Sequence, residues 1–252
     1  MFAAPNRDDL RKIVILNPKG GCGKTTLATT LASYYSLQGP TPTLIDADPI
    51  GFTTRWLQKR SKNRSRINGI SVGEFASHGK RTWHYLVPKE AGPVIVDTPA
   101  ALNRRAISEL TYDADCILVP ILPSAFDVQV TAGFIAQLLL LTEFDRPVAV
   151  VANRTRKNTR SLAALLEILK SFETPTIAVL RDSQNYVCAA ELGLGIHELP
   201  PHRVRQDTEQ LDLVVNWLDN LLVTNLQPGL PSGFSPLQEI FAPASVELTG
   251  TD

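Results

Sequence analysis

The most constraining feature of this chain is a glycine-rich segment that lies between an apolar run and a helical pattern. The apolar run is Ile13-Val14-Ile15-Leu16, and the segment is Lys19-Gly20-Gly21-Cys22-Gly23-Lys24-Thr25-Thr26. Glycines let backbone N–H groups turn inward toward a phosphate, and the helix N-terminus that follows adds partial positive charge. Because such a loop connects a strand to a helix, the segment predicts an α/β fold that binds a phosphorylated ligand.

The loop contains two lysines. By its position Lys24 is expected to pair with the β- and γ-phosphates of a nucleotide, and Thr25 to hold Mg²⁺. Pro18 stands where the common pattern G-x-x-x-x-G-K-[ST] has its first glycine, and the second lysine, Lys19, follows it directly. Cys22 fills a variable position, where a small side chain fits. The predicted nucleotide-binding residues of the loop are Gly20, Gly21, Cys22, Gly23, Lys24, Thr25 and Thr26.

Apolar runs rich in β-branched residues alternate with helical patterns along the chain. The predicted strands are Lys12–Asn17, Thr43–Asp46, Val94–Asp97, Cys116–Pro120, Val148–Asn153 and Thr176–Leu180. The predicted helices are Lys24–Leu37, Arg104–Tyr112, Val128–Glu143, Arg160–Phe172, Asn185–Leu192 and Thr208–Leu222. This alternation indicates a mostly parallel, twisted sheet with helices on both faces, a three-layer α/β sandwich. Ligands bind at the carboxyl ends of the strands in such folds.

Acidic side chains stand at two of these strand ends. Asp46 and Asp48 follow one apolar strand, and Asp97 ends another. Carboxylates near Mg²⁺ and a terminal phosphate can orient a water molecule or hold the hydration shell of the metal. Asn153 ends a further strand, and its amide offers both a donor and an acceptor, although an asparagine in a turn is an open alternative.

The chain has a formal net charge of zero, but its charges are unevenly distributed. No Lys or Arg follows Arg205, so residues 1–205 carry 25 basic and 18 acidic side chains. Clustered basic residues can bind DNA phosphates or form a solvated surface loop. The segment Arg55–Arg66 is predicted as a basic surface segment, and its part from Lys59 onward is a second candidate for DNA or for a partner protein. The first candidate DNA patch is formed by Arg154, Arg156, Lys157, Arg160 and Arg181.

The composition changes toward the C-terminus. Residues 223–252 are rich in proline and glycine, and their only charged side chains are acidic. We expect an extended or disordered tail there, after a single domain over residues 1–222.

Other features argue against a membrane-spanning or secreted protein. No run approaches about 18 consecutive apolar residues, and the N-terminus lacks the apolar segment of a signal peptide. The three cysteines are far apart and do not suggest a disulfide framework. We therefore expect a cytoplasmic protein.

Taken together, the motifs resemble those of the ParA/MinD family of ATPases with a deviant phosphate-binding loop, and the small ParA-type partition ATPases in particular. The resemblance covers about residues 12–222 and rests on Lys19 in the loop, Asp46-Ala47-Asp48-Pro49, Asp97-Thr98-Pro99 and Asn153-Arg154. It implies a P-loop NTPase fold that uses ATP and Mg²⁺. Ile50 stands where the family usually has glutamine.

The resemblance also implies roles for individual residues. Lys19 reaches across a dimer interface to the nucleotide of the other subunit and, with Lys24 and Asp48, belongs to the catalytic set, where Asp48 positions the attacking water. Thr25, Asp46 and Asp97 form the metal region, and Asn153 contacts the adenine edge.

The function implied is an ATPase that forms an ATP-dependent homodimer and binds DNA without sequence preference. A ParB-like protein or a cargo adaptor stimulates hydrolysis, and the cargo is a plasmid, a chromosome origin or a protein assembly, which gives a nucleoid-associated protein. One alternative is a MinD-like membrane-associated ATPase, but the acidic helix Thr208–Leu222 lacks the basic residues that bind anionic lipid. The other is a ligase of the dethiobiotin synthetase type, for which no substrate-binding loops are evident.

Overall fold

Parallel strands form the centre of the molecule. The computed structural model describes residues 11–77, 83–142, 146–170 and 174–224. Its strands are β1 (Lys12–Ile15), β2 (Thr43–Asp46), β3 (Asn68–Ile70), β4 (Val94–Asp97), β5 (Cys116–Ile121), β6 (Val148–Thr155) and β7 (Thr176–Arg181). They form one sheet in the order β3-β2-β4-β1-β5-β6-β7, and every neighbouring pair is parallel.

Helices cover both faces of this sheet. They are α1 (Lys24–Ser36), α2 (Phe52–Lys59), α3 (Val72–Ser77), α4 (Arg104–Thr111), α5 (Ala125–Leu141), α6 (Arg160–Lys170), α7 (Gln184–Glu191) and α8 (Pro201–Thr224). Successive side chains of a strand point to opposite faces. Ile13 and Ile15 accordingly pack with α1, α7 and α8, whereas Val14 and Leu16 pack with α4, α5 and α6. The predicted α/β sandwich of the P-loop NTPase type is confirmed.

The sheet order brings the predicted site residues together. β1 lies between β4 and β5 and pairs with both, and β4 also pairs with β2, with Asp46 opposite Asp97. Since all strands are parallel, the loops that follow β1, β2 and β4 leave the sheet at the same edge. The glycine-rich loop and all three predicted aspartates therefore lie at one end of the molecule.

Two elements near Arg55 differ from the sequence-based prediction. The predicted basic surface segment Arg55–Arg66 begins within α2, whose Trp56 is buried against the core. The short strand β3 follows, and a Cβ atom on its Gly69 would lie 2.7 Å from Cδ1 of Leu57. Neither element was predicted, because a polar eight-residue helix and a strand with a central glycine carry weak periodic patterns.

The C-terminal helix is also longer than predicted. α8 begins at Pro201, a residue whose fixed φ suits the first turn of a helix, and continues to Thr224. It therefore passes the boundary that the sequence placed between residues 222 and 223. Residues 225–252, the rest of the predicted tail, lie outside the described residues.

Candidate functional site

The glycine-rich loop turns back on itself between β1 and α1. Gly21 and Gly23 have φ values of 76° and 100°, in the left-handed region that glycine adopts without strain. The carbonyl oxygen of Lys19 accepts hydrogen bonds from Nζ of Lys24, at 3.0 Å, and from Sγ of Cys22, at 3.3 Å. Cys22 is buried, and burial raises the pKa of its thiol, which suits a space-filling role.

Asn153 packs directly on this loop. Its Nδ2 donates to the carbonyl oxygen of Cys22 at 2.8 Å, and a Cβ atom added to Gly23 would lie 2.1 Å from the same Nδ2. The side chain thus holds the loop from the end of β6. This contact adds to the adenine-binding role predicted for Asn153, which stays a prediction.

Asp97 lies at the bottom of the site. Its Oδ2 accepts hydrogen bonds from Oγ1 of Thr25, at 2.7 Å, and from Oγ1 of Thr53, at 2.6 Å. Burial raises the pKa of Asp97 to about 6, although both hydrogen bonds lower it. Its Oδ1 is also buried and accepts no hydrogen bond from the described residues. A buried carboxylate oxygen with free acceptor capacity, next to the Thr25 hydroxyl, fits the oxygen ligands and hydration shell that Mg²⁺ prefers.

The other two aspartates organise the loop that leads to α2. Oδ2 of Asp46 accepts hydrogen bonds from the backbone N–H of Thr54, at 2.8 Å, and from its hydroxyl, at 2.6 Å. Oδ1 of Asp46 accepts from the N–H of Asp48 at 3.2 Å, and Asp48 accepts from the N–H of Ile50 at 2.9 Å. Asp46 is buried, whereas Asp48 is only half-buried, so Asp48 is the one that can meet solvent water.

Lys19 is paired within the chain. Its ammonium group contacts Oδ1 of Asp127 in the first turn of α5, and the Lys19 side chain is 39% exposed while that of Asp127 is 6% exposed. The hydroxyl of Ser124, the N-cap residue of α5, donates to the other oxygen of Asp127. Sequence reasoning did not single out Asp127, although Ser124-x-x-Asp127 has the spacing of a helix-capping pair.

Thr53 and Thr54 are functional candidates that sequence reasoning also missed. They connect α2 to Asp97 and Asp46, and the available signal was a threonine pair two residues after Gly51. Gly51 itself adopts a φ of 73°, which turns the chain into α2.

The segment after Asp97 contacts the head of the glycine-rich loop. The Thr98 hydroxyl donates to the carbonyl oxygen of Ile15 at 2.7 Å, and the N–H of Ala101 donates to that of Pro18 at 3.1 Å. Ala101 has a φ of 55°, which is unusual for a residue with a side chain. A shift of the backbone after Asp97 would therefore also move the backbone at Pro18, the residue before Lys19.

A cavity of about 610 Å³ opens between this loop and the helices α2 and α7. Its lining includes Gly21, Thr25 and Thr26 on one side, Asn153 at the end of β6, and Tyr186 of α7. Its volume is within the range of small-molecule and cofactor sites. The predicted phosphate-binding loop and Asn153 therefore border one cavity, which is the candidate nucleotide site.

The first predicted DNA patch is largely ion-paired within the chain. Arg154 and Arg156 both contact Asp182, each at 3.2 Å. The pKa of Asp182 is lowered: partial burial raises it, but hydrogen bonds from the two arginines outweigh that effect. Arg181 makes two hydrogen bonds to Asp207, at 2.5 and 3.0 Å. Lys157 and Arg160 are exposed.

The second predicted patch needs a correction at Arg60. Its guanidinium is buried and makes two hydrogen bonds to Glu198, at 2.6 and 2.9 Å. It also donates to the carbonyl oxygens of Ser65 and Gly193. Arg60 is therefore a structural residue and not part of a basic surface, because a buried ion pair with this many partners is not free to bind DNA.

Among the residues that the structure describes, no helix combines the length and the apolar character needed to cross a bilayer.

Known proteins are similar to this chain in sequence and in fold. "Maintenance of carboxysome distribution protein A" from Halothiobacillus neapolitanus is 25% identical over 207 residues, which cover 81% of this chain and 94% of that protein. The chromosome-partitioning ATPase Soj from Thermus thermophilus is 43% identical over 159 residues, 52% of this chain and 63% of Soj.

Among solved structures, the McdA–ATP complex from Cyanothece superposes with a TM-score of 0.62 at 20% identity, covering 82% of this chain and 96% of that one. The sequence profile of the CobQ/CobB/MinD/ParA nucleotide binding domain matches residues 13–196. These matches agree with the phosphate-binding loop, the aspartates at the strand ends and the parallel sheet, and the chain belongs to the CobQ/CobB/MinD/ParA family of nucleotide-binding proteins.

Proposed function

We propose that this protein is a ParA-like ATPase that positions a cargo by cycles of ATP-dependent dimerisation and DNA binding. The observation that carries the proposal is the pair of loop lysines. Lys24 is buried inside the loop, and Lys19 at its head has a side chain that is 39% exposed and pairs with Asp127. One lysine can then serve the nucleotide of its own subunit while the other is available to a second subunit.

The residues of the cavity suit ATP with Mg²⁺. The glycine-rich loop offers backbone N–H groups to the phosphates, and Lys24 adds positive charge beside them. Thr25 and Asp97 would hold the metal, since their oxygens adjoin and Oδ1 of Asp97 has free acceptor capacity among the described residues. When bound, Mg²⁺ neutralises negative charge that develops on the phosphates.

Asp48 is the proposed water-positioning residue. It lies on the loop after β2, half-buried, and Asp46 accepts its backbone N–H at 3.2 Å. A carboxylate held in this way can orient a water molecule toward the terminal phosphate without being a metal ligand. Slow turnover is expected, since a partner subunit and an adaptor protein complete the site.

The cargo is a DNA molecule or a protein assembly. The two curated relatives reported above are a chromosome-partitioning ATPase and a protein named for carboxysome distribution. Both names describe placing a large object within a cell, so we propose the same general task here, served by a ParB-like or cargo-adaptor partner. The protein would then be cytoplasmic and associated with the nucleoid.

Lys19→Ala provides the direct test of the dimer. In light scattering with ATP and Mg²⁺, the unaltered protein is expected to double its mass, whereas Lys19→Ala stays monomeric and still binds a fluorescent ATP analogue. Lys89→Ala, an exposed lysine on another surface, is the matched control. ATP-dependent dimers of the Lys19→Ala variant would refute the proposed dimer, and release of a product other than ADP and phosphate would favour a ligase.

A further inference from the structure

The segment that leaves α2 carries a second group of exposed cations. Lys59, Lys62, Arg64 and Arg66 are all exposed, and none of them has an ion-pair partner among the described residues. We call the segment Lys59–Arg66, which begins with the last residue of α2, the cationic loop. Its charges contrast with those of Arg154, Arg156 and Arg181, which contact carboxylates of the same chain.

A buried residue fixes the backbone of this loop. Arg60 donates to the carbonyl oxygen of Ser65 from both Nε, at 3.2 Å, and Nη2, at 3.0 Å, while it is anchored to Glu198. The N–H of Arg64 donates to the carbonyl oxygen of Ser61 at 3.0 Å and closes a turn around Lys62. Because the backbone is already ordered, a ligand that binds these cations would pay a smaller entropic cost.

The side chains of the loop suit a phosphate backbone. Between the cations lie Ser61, Asn63 and Ser65, which are among the residue types that donate hydrogen bonds to DNA phosphates. The segment from Lys59 to Arg66 has no apolar side chain that could enter a lipid bilayer, and membrane-surface segments need such a face. Nucleic acid therefore fits the loop better than a membrane does.

Helix α2 connects this loop to the metal region. At its first residues, Thr53 bonds to Asp97 and Thr54 bonds to Asp46. At its other end, the buried pair of Arg60 and Glu198 holds the helix to the rest of the domain. A helix of eight residues spans about 12 Å. A change at Asp97 can thus be transmitted through one rigid element to the cationic loop.

From these observations we propose that the cationic loop binds the phosphate backbone of DNA, and that α2 links this binding to the nucleotide site. This inference rests on the proposed function, and it moves the main DNA contact away from the Arg154 cluster. In the sheet, β3 follows the loop and its Asn68 pairs with Thr43, the first residue of β2. The part of the loop next to β3 therefore lies at the amino ends of the strands, away from the glycine-rich loop, whereas Lys59 at its other end borders the cavity of the candidate nucleotide site.

Charge reversal in the full chain tests the inference. The variant is Lys62→Glu with Arg64→Glu, and the matched control is Lys89→Glu with Arg104→Glu, two exposed cations with the same change of charge. A third variant reverses Arg154, Arg156 and Lys157. Binding of a labelled, non-specific DNA duplex is followed by fluorescence anisotropy, with ATP and Mg²⁺, over a range of salt concentrations.

The loop variant is expected to bind DNA at least tenfold more weakly. The slope of the logarithm of its binding constant against the logarithm of the salt concentration should be reduced by about one unit for each cation removed. The control is expected to stay near the unaltered protein, and both should bind a fluorescent ATP analogue normally. If the Arg154 variant loses DNA while the loop variant keeps it, the loop assignment is overturned and the proposed function stands. Equal losses in the control would also overturn the assignment. If the unaltered protein binds no DNA, or its loop binds only anionic vesicles, the loop assignment and the DNA step of the proposed function both fail.

Discussion

At the scale of single residues, the contact between Gly23 and Asn153 leaves no space for any side chain. A Cβ atom at Gly23 would lie 2.1 Å from Nδ2 of Asn153, and the φ of 100° is itself unfavourable for other residues. We expect Gly23→Ala to lower the free energy of unfolding by about 1–3 kcal/mol, as for other strained backbones. We also expect at least tenfold weaker binding of ATP. Thermal unfolding with and without an ATP analogue measures both effects.

Gly20→Ala is the matched control for this prediction. A Cβ atom there would have no atom within 4 Å, and Gly20 does not have a positive φ. Its stability without ligand should therefore stay close to that of the unaltered protein. Equal stability of the two variants would show that the Asn153 contact does not shape the loop.

Asp127 gives a second prediction at this scale. The Lys19 ammonium lies against its buried carboxylate, so Lys19 must leave this partner before it can reach another subunit. Asp127→Asn removes the charge while keeping the shape, and we expect the variant to dimerise at a several-fold lower ATP concentration. Light scattering against ATP concentration measures this, with Glu209→Gln as a control on the exposed pair of Arg205 and Glu209. A higher ATP requirement would show instead that Asp127 positions Lys19 for its task.

The candidate site residues that could be named from the sequence are those that belong to a continuous motif. The loop residues and Asp97 could be recognised because each directly follows or ends an apolar strand. Thr53, Thr54 and Asp127 could not, because their importance comes from which side chain they meet after folding. Arg60 was assigned to the surface for the same reason, since its partner Glu198 is more than a hundred residues away in sequence.

At the scale of elements, six of the seven strands described in the central sheet were predictable, whereas the short edge strand β3 and the helix α2 were not. β2 and β4 match their predicted bounds, because each is a continuous apolar run that ends in an aspartate. α2 has few apolar residues and is held by hydrogen bonds at its start and by Arg60 after its end. Elements that are held by such long-range polar contacts show little periodic pattern of apolar residues in the sequence.

The Arg60–Glu198 pair supplies the prediction for this scale. The pKa of Glu198 is lowered: burial raises it, but hydrogen bonds from Arg60, Ser33 and the N–H of Gly195 outweigh that effect. The ionised carboxylate therefore stabilises the fold fully at pH values above 4.5, the ordinary pKa of glutamate. This stabilisation is lost as the pH falls through the lower pKa of Glu198 in the folded protein. Glu198→Gln leaves Arg60 buried without its counter-charge, so we expect a loss of about 3–5 kcal/mol at pH 7.

Urea unfolding of the variant and the unaltered protein from pH 7 to pH 3 measures this effect. The difference in the free energy of unfolding should be largest at neutral pH and should shrink below pH 4.5. Glu209→Gln, which affects the exposed pair of Arg205 and Glu209, is the control and should change little at any pH. A difference that does not vary with pH would show that the charge of Glu198 is not what stabilises α2.

At the scale of the whole molecule, the proposed cycle requires that ATP binding and ATP hydrolysis have opposite effects on location. Binding would form the dimer, double the number of cationic loops on one particle and raise the affinity for DNA. Hydrolysis would reverse these steps. Asp48→Ala separates ATP binding from ATP hydrolysis, because it removes the proposed water-positioning carboxylate while leaving the glycine-rich loop, Thr25 and Asp97 unchanged.

We therefore expect a fluorescent fusion of Asp48→Ala to stay on the nucleoid, with slow fluorescence recovery after bleaching, while the unaltered protein exchanges within the cell. Lys19→Ala should be diffuse, since it binds ATP but cannot form the dimer. Glu209→Gln, which affects only the exposed pair of Arg205 and Glu209, should recover like the unaltered protein. Recovery of Asp48→Ala at the unaltered rate would remove Asp48 from the hydrolytic step. Accumulation of the fusion at the cell membrane would replace DNA with lipid as the surface on which the cycle runs, and the charge of the cationic loop would then need a different partner.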